Sequence, residues 1–228
     1  MNAASLHAWN LTPADAIAVQ NSLRSRVQLH FPGSLEDVRR IAGADISFNR
    51  REPRLYAALV ILSFPDLQVV ATHTHVAEVT FPYIPGLLSF REVPVLWPLL
   101  ETAADQFDVL ICDGQGIAHP RRFGLASHIG VLLNKPSIGC AKSRLVGQYR
   151  EPDGEKGSFS YLYDDDEVIG AVVRTRRGVK PVFVSPGHLM DVDTAVRMVL
   201  MATRKYRLPE PTRQAHILVN QLRGQQGG

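Results

Sequence analysis

Three carboxylates stand where this chain could hold a divalent metal ion. Asp45 lies within the apolar run AGADISF, and Asp113 directly follows the apolar run VLIC. A charge inside an apolar strand needs a partner, and the ligands of α/β proteins gather at the carboxyl ends of strands. Brought together with Glu92, these groups would repel one another unless a cation held them, and hard oxygen ligands of this kind suit Mg²⁺ or Mn²⁺.

Two of these carboxylates also have a structural interpretation. Asp113 precedes a glycine, so it could cap a turn, as aspartate often does. Glu92 closes the pattern S-x-x-E over residues 89–92, which is a capping box that would open a helix. The residue types alone leave Asp113 open and favour the cap for Glu92.

The stretch FPYIPGLLSFREVP, residues 81–94, combines apolar side chains with three prolines and a glycine. Proline removes a hydrogen-bond donor from a strand and disrupts the interior of a helix. We therefore predict a rigid loop that holds its apolar side chains in a fixed pose. A helix over residues 91–105, bent at Pro98, is predicted to follow it.

A second loop, DGQGIAHPRRFGLASH over residues 113–128, brings two glycines close together. Gly114 and Gly116 would let the backbone approach a phosphate or a flat base. The loop matches neither a P-loop nor the G-x-G-x-x-G motif, and the chain has no G-x-S-x-G motif of a serine hydrolase. Position alone does not distinguish a functional from a structural role for His119, His128 and Lys142, and it favours a structural role for His216.

The order of the predicted elements indicates an α/β protein. A helix over residues 11–29, with Thr12 as its N-cap and Asp15 completing a capping pattern, precedes three strands, and helices and strands alternate after them. We predict strands at 40–48, 54–64, 67–79, 107–114, 136–143, 167–175 and 180–186, and further helices at 121–134 and 191–206. The second and third strands are expected to form a hairpin. This order predicts a mixed sheet with an antiparallel start and parallel additions, flanked by helices on both faces.

The composition is that of an ordinary globular protein. The chain has 228 residues, of which 45% are hydrophobic and 21% charged. We expect one domain over residues 1–228 with a flexible tail at 220–228. No run approaches the roughly 20 apolar residues of a membrane span, and the first residues do not have the pattern of a signal peptide. Cys112 and Cys140 are too far apart for a C-x-x-C pair and are expected to be buried free thiols in a reducing cytoplasm.

The basic residues are clustered, although the net charge is only +3. The clusters lie at residues 119–124, 141–144, 174–180 and 204–213. Such clusters arise on solvated surfaces as well as at nucleic-acid sites, so charge alone leaves the partner open.

Five blocks of sequence together resemble the endonuclease V family, which consists of nucleases that repair deaminated bases. The blocks are AGADISF, PYIPGLLSFRE, DGQGIAHPRRFGLASHIG, IGCAKSRLVG and YRLPEPTRQAH, and they extend from about residue 40 to residue 216 in the family's order. The resemblance implies a ribonuclease-H-like fold, which agrees with the predicted order of strands.

The resemblance also implies roles for the candidate residues. Asp45 and Asp113 would bind the divalent metal, and Glu92 and His216 would complete the catalytic centre. Lys142 would contact the scissile region. The implied cofactor is Mg²⁺, with Mn²⁺ as a substitute.

The proline-rich loop matches the family's strand-separating wedge, with Tyr83 at its tip. The residues implied to contact DNA are Pro82, Tyr83, Ile84, Pro85, Arg91 and His119. The extruded base would meet Gly86, Leu88, Gly114 and Leu145. The family's loop often reads D-G-H-G, and here Gln115 takes the place of the histidine.

The implied activity is a metal-dependent endodeoxyribonuclease, which would cut the second phosphodiester bond 3′ to a deaminated base, chiefly deoxyinosine, and leave the lesion in the strand. The expected substrate is single-stranded or double-stranded DNA, and the protein is expected to be a monomer without a membrane partner. One alternative is an endoribonuclease that acts on inosine in RNA. Another is a protein that binds damaged or branched DNA without cutting it, although a pure binder would not need the set Asp45, Glu92, Asp113 and His216.

Overall fold

The pairing of the strands decides where the carboxylates meet. The computed structural model describes residues 6–49 and 52–226. Its strands are β1 (Arg40–Phe48), β2 (Arg54–Ser63), β3 (Val69–Glu78), β4 (Val109–Cys112), β5 (Ser137–Ala141), β6 (Phe159–Asp164), β7 (Glu167–Val173) and β8 (Val182–Pro186). They form one sheet in the order β3-β2-β1-β4-β5-β8-β7-β6.

The sheet is mixed, as predicted. Strands β2 and β3 form the expected antiparallel hairpin, and β1 is antiparallel to β2 but parallel to β4. Strand β5 adds to β4 in parallel. Beyond β5 the sheet continues with the antiparallel strands β8, β7 and β6, so the parallel additions are limited to β4 and β5. Strand β6 was not predicted, because its sequence FSYLYD mixes polar and aromatic residues at the edge of the sheet.

Helices cover both faces of the sheet, which confirms the predicted α/β architecture. They are α1 (Pro13–Leu23), α2 (Leu88–Ala103), α3 (Leu125–Leu133), α4 (Val192–Met201) and α5 (Glu210–Gln226). One hydrophobic core joins α2 and α3 to Ala42 and Ala44 of β1. A second core, on the other face, joins α4 and α5 to Ile41. The predicted capping box of α1 is also present, with Thr12 as the N-cap and Asp15 as its partner.

The C-terminal region was predicted wrongly as a tail. Residues 220–226 are the last turns of α5, where Asn220 accepts a hydrogen bond from Ser47 (3.0 Å) and Arg223 donates to the carbonyl oxygen of Phe48 (3.2 Å). The close approach of α5 to the sheet requires a glycine in β1, because a Cβ at Gly43 would lie 2.1 Å from the carbonyl carbon of Pro211. Residues 227–228 of the predicted tail, and residues 1–5 of the segment tested for a signal peptide, lie outside the described residues.

The cysteines and the lengths of the helices bear on two further expectations. Cys112 and Cys140 are both free and buried, as predicted. In the part of the chain that the structure describes, none of the helices is both long enough and apolar enough to cross a membrane.

A pair of histidines fastens the N-terminal segment to the domain. His7 Nε2 lies 2.8 Å from His128 Nε2, and His128 Nδ1 lies 3.0 Å from the hydroxyl of Ser89. His7 Nδ1 is 2.6 Å from the carbonyl oxygen of Ala8, so it carries the proton. When both rings are neutral, His128 therefore donates through Nε2 to His7 and accepts from Ser89 through Nδ1. Burial accordingly lowers the pKa of His128 well below its usual value of 6.5 and also lowers that of His7.

This histidine pair should make the stability of the protein depend on pH. Because the folded pKa of His128 is lowered, the unfolded chain binds more protons below pH 6.5, and stability present above that pH is lost as the pH falls. We expect the free energy of unfolding of the wild type to fall, relative to that of His128→Asn, by about 1.4 kcal/mol per pH unit below pH 6.5. Urea unfolding at about pH 7.5, 6.0 and 5.0, values above and below the unfolded pKa of histidine, measures the difference. Parallel pH profiles for the two proteins would contradict it.

Candidate active site

The three carboxylates come from three separate elements. Ala44 of β1 is paired with Cys112 of β4, so Asp45 and Asp113 each lie one position beyond this pair on neighbouring parallel strands. Glu92 reaches the same region from the second turn of α2. Burial first, and then the negative charges of Asp45 and Asp113, raise the pKa of Glu92 to about 8. Burial and Asp113 likewise raise the pKa of Asp45, so the three groups influence one another electrostatically.

The capping interpretation of Glu92 is wrong. Helix α2 begins at Leu88, with Leu87 at the N-cap position and without a hydrogen bond from a capping side chain. Ser89 lies inside the helix, where its hydroxyl contacts His128. The helix also begins three residues earlier than predicted and contains both Pro94 and Pro98. Glu92 is thus a carboxylate near two others rather than part of a cap.

Two basic groups lie against the aspartates. The ammonium of Lys142, just after β5, contacts the Asp113 carboxylate. His216 of α5 places Nδ1 at 2.7 Å from Asp45 Oδ2. Both groups act against burial and lower the pKa of Asp45. The structure therefore brings together all five residues that the sequence suggested for catalysis, from β1, α2, α5 and the loops after β4 and β5.

A hydrogen-bonded chain behind His216 determines its tautomer. The amide nitrogen of Asn220 donates to the carbonyl oxygen of His216 (2.8 Å) and lies 3.1 Å from its Nε2. The amide oxygen of Asn220 accepts from Ser47. Since Asn220 donates to Nε2, the ring proton of neutral His216 is on Nδ1 and points to Asp45. Sequence reasoning missed Asn220 and Ser47, and the spacing of four residues between His216 and Asn220 is the only signal that could have suggested the pair.

The donor set fits a hard divalent cation in its chemistry. It offers carboxylate oxygens of Asp45, Glu92 and Asp113, and their mutual repulsion would be relieved by a positive ion. In residues 6–49 and 52–226, however, no group of three or more His, Cys, Asp or Glu side chains is arranged so that it could hold a metal ion as it stands. Asp113 is paired with Lys142 and Asp45 with His216 instead. The three-carboxylate metal site therefore stays a prediction.

The proline-rich loop is held in place through one carbonyl group. The oxygen of Gly86 accepts hydrogen bonds from Gln20 Nε2 (3.0 Å), His119 Nε2 (3.0 Å) and Arg121 Nη2 (2.6 Å). Gly86 has a φ of 79°, a conformation that favours glycine. Phe81 and its neighbours pack against α1, while the ring of Tyr83 is 70% exposed. The loop is thus a fixed support that presents Tyr83 to solvent.

A pocket of about 360 Å³ lies between this loop and the aspartate-bearing end of β4. We call it the base pocket. All four residues expected to surround an extruded base line it, namely Gly86, Leu88, Gly114 and Leu145. Tyr83, Ile84 and Pro85 line it as well, together with Asp113 and Lys142. One cavity therefore connects the loop with part of the carboxylate cluster.

A comparison with known families decides which kind of protein has this arrangement. A family model described as Endonuclease V matches residues 21–217. The chain belongs to the endonuclease V family. An endonuclease V from Methanothrix thermoacetophila is 52% identical over 214 residues, which cover 94% of this chain and 93% of that protein. The family assignment indicates a nuclease.

Solved structures of the family share the fold. Endonuclease V from Streptomyces avermitilis is 43% identical, with a TM-score of 0.88 and a coverage of 96% of both chains. Endonuclease V from Ciona intestinalis is 30% identical, with a TM-score of 0.83 and a coverage of 93% of this chain and 98% of that one. The Ciona structure is a complex with a 24mer DNA containing an inosine followed by a ribo-adenosine.

Two of the expected DNA contacts have partners within the protein. His119 is 3% exposed, and burial together with Arg121 lowers its pKa to about 4. Its Nδ1 accepts from the backbone of Arg121, so neutral His119 donates through Nε2 to Gly86. Arg91 donates to the carbonyl oxygen of Phe81 at 2.7 Å. Both residues support the loop in this structure, and their contact with DNA stays a prediction.

Much of the basic charge in the predicted clusters is also used internally. Arg122 pairs with Asp164 and Glu167, and Arg174 pairs with Glu151.

The second glycine of the 113–128 loop serves packing, since a Cβ at Gly116 would lie 1.9 Å from the carbonyl oxygen of Pro186. Gly114, in contrast, faces the base pocket.

Gln115, which stands where the resemblance led us to expect a histidine, links two walls of the base pocket. Its amide nitrogen donates to the carbonyl oxygen of Ser143 at 3.1 Å. Its amide oxygen is buried and has no hydrogen-bond partner within the described residues. The side chain therefore ties the loop after β4 to the loop that carries Lys142.

Proposed function

We propose that this protein is a metal-dependent endodeoxyribonuclease that recognises deaminated bases, chiefly deoxyinosine. It cuts the second phosphodiester bond 3′ to the lesion and leaves the lesion in the nicked strand. The observation that carries the proposal is the base pocket, which has Tyr83 at one side and Asp113 with Lys142 at the other. The Ciona relative, solved with inosine-containing DNA, supports the same class of substrate.

Nucleases of this family generally need a divalent metal ion. In our proposal Asp45, Glu92 and Asp113 would hold Mg²⁺, for which Mn²⁺ could substitute. When bound, the ion would activate water and stabilise the charge that develops on the phosphate. Burial and the two aspartates raise the pKa of Glu92, and a cation bound among the three carboxylates would offset this effect and favour the ionised form.

The remaining catalytic residues then act through position and charge. His216 places Nδ1 at 2.7 Å from Asp45 Oδ2 and so orients the Asp45 carboxylate. Lys142 lines the base pocket and keeps its ammonium beside Asp113. From there the ammonium would offset negative charge on the phosphate of the bound strand.

Recognition requires the lesion to leave the base stack. Base flipping costs a few kcal/mol, and an exposed aromatic ring can replace the lost stacking at roughly 1–3 kcal/mol per base. Tyr83 offers such a ring on a loop whose order is already established by Gly86 and its three donors. The loop is therefore already ordered before DNA binds, and it acts as a wedge without a change in its own conformation.

Tyr83→Ala is expected to weaken lesion binding by roughly 1–3 kcal/mol, the value of one stacked base. Discrimination between lesion and normal duplex should fall, while any residual nick stays at the same bond because the carboxylates set its position. Gel-shift titration and product mapping on a deoxyinosine duplex measure both effects. Tyr206→Ala, which removes another exposed tyrosine outside the base pocket, is the control. Unchanged affinity and selectivity in Tyr83→Ala would refute the wedge.

Strand cleavage of a deoxyinosine duplex in Mg²⁺, compared with EDTA, tests the function itself. We expect one nick in the inosine strand, none in an unmodified duplex and none in EDTA. Binding without cleavage would favour the non-cutting alternative. Faster cleavage of inosine-containing RNA than of DNA would favour the endoribonuclease.

We further propose that the protein acts as a monomer in a reducing cytoplasm, in agreement with its two free thiols.

A further inference from the structure

Three neighbouring pockets, of which the base pocket is the first, together form what we call the groove. A second pocket, of about 810 Å³, shares Lys142, Ser143 and Arg144 with the base pocket. A third, of about 600 Å³, shares Tyr149 with the second and reaches the edge strand β6. Because neighbouring pockets have residues in common, a bound chain could pass from one to the next.

The second pocket carries an excess of positive charge. Lys142, Arg144, Lys180 and Arg207 line it, against the single carboxylate of Glu151, which pairs with Arg174. Within the described part of the chain, no carboxylate forms a salt bridge with Arg144, Lys180 or Arg207. Such an array attracts an anionic polymer, and a phosphate backbone has this character.

The guanidinium of Arg207 is held at the second pocket by main-chain carbonyl groups. Its Nη2 donates to the carbonyl oxygens of Lys142 (2.6 Å) and Pro181 (2.7 Å). Its Nε is buried and has no hydrogen-bond partner among the described residues. These contacts hold the guanidinium at the pocket without neutralising its charge.

Tyrosine side chains form much of the lining of the third pocket. Tyr149, Tyr161 and Tyr163 line it together with Arg150. The rings of Tyr161 and Tyr163 lie with their centroids 6.3 Å apart, and the hydroxyl of Tyr161 is fixed by Asp193 at 2.9 Å. Tyr163 exchanges two backbone hydrogen bonds with Gln148, so its position is set as well, yet the residue is 42% exposed. An ordered, exposed tyrosine beside an arginine offers a ring on which an unpaired base can stack.

We propose that this groove binds a further stretch of single-stranded nucleic acid, continuous with the strand whose base occupies the base pocket. Its phosphates contact Arg144, Lys180 and Arg207, and an unpaired base stacks on Tyr163. The proposal rests on the proposed function only for the anchoring base. A protein segment would also find aromatic contacts here, but the unpaired cations of the second pocket favour a polyanion.

The test measures how affinity depends on strand length. Fluorescence anisotropy in EDTA, which prevents cleavage, compares deoxyinosine-containing single strands of about 8 and about 20 nucleotides, extended on either side of the lesion, to span the usual site sizes. We expect the longer strand, extended on one side, to bind more tightly. Tyr163→Ala should remove roughly 5-fold to 100-fold of that gain, and Tyr163→Phe should retain it because the ring remains.

Lys180→Ala tests the charge of the groove separately. It should reduce the slope of log affinity against log salt by about 0.7 for the long strand and leave the short strand unaffected. Arg26→Ala is the matched control, since Arg26 is exposed and lies outside the three pockets but loses the same charge. Melting temperatures of all variants verify that they fold.

The outcomes separate this proposal from the proposed function. The groove is refuted if affinity does not grow with length, or if Tyr163→Ala and Lys180→Ala bind the long strand as the wild type does. It is equally refuted if both variants weaken the short and long strands alike, or if a fully paired duplex shows the same dependence on Tyr163. Failure of the wild type to cut an inosine strand in Mg²⁺ would refute the function while leaving the length-dependent binding intact.

Discussion

Replacement of Asp113 by asparagine should abolish strand cleavage while the fold survives. The amide keeps the shape of the side chain but binds a hard cation more weakly than a carboxylate. Loss even of a residue that supports a metal ligand typically costs 10-fold to 100-fold, so we expect a fall of about 100-fold or more. Stability should not suffer, because Asp113 raises the pKa values of both Asp45 and Glu92 through repulsion.

Nicking rates on a deoxyinosine duplex in Mg²⁺, together with melting temperatures, measure this result. Asp166→Asn provides the matched control, since Asp166 is exposed on the turn between β6 and β7 and undergoes the same chemical change. Asp45→Asn should behave like Asp113→Asn. A variant at either aspartate that nicks at nearly the wild-type rate would remove that residue from the metal site.

Glu92→Gln is expected to produce the second large effect. A helix cap would tolerate the change, because glutamine can close a capping box as glutamate does. A metal-binding carboxylate would not, so we expect cleavage to fall by about 100-fold or more. The melting temperature should stay the same or rise, because the amide carries no charge that burial and the two aspartates would disfavour.

The control for this change lies on the same helix. Glu101 is exposed near the end of α2, and Glu101→Gln alters the charge without touching the carboxylate cluster. Nicking rates and melting temperatures of the two variants are compared side by side. Retained activity in Glu92→Gln would return Glu92 to a purely structural role.

Several elements could be located from local signals in the sequence. The apolar runs that became β1, β4 and β5 were located from composition alone, because strands buried on both faces are almost continuously hydrophobic. The start of α1 followed from Thr12 and Asp15, which interact across a single turn. The five blocks that resemble the family likewise led to the correct α/β fold, since each block contains its own motif.

The interactions between residues far apart in the chain became visible in the tertiary structure. His216 reaches Asp45 because Gly43 lets α5 approach β1, and nothing local in the polar sequence of α5 revealed that helix. Glu92 matched a capping box, yet α2 starts earlier through the packing of Leu87 and Phe90 against α1. The contacts of Asp45 with His216 and of Gly86 with Gln20 join residues far apart in the chain, so packing and charge across the whole domain, rather than local propensity, determine the site.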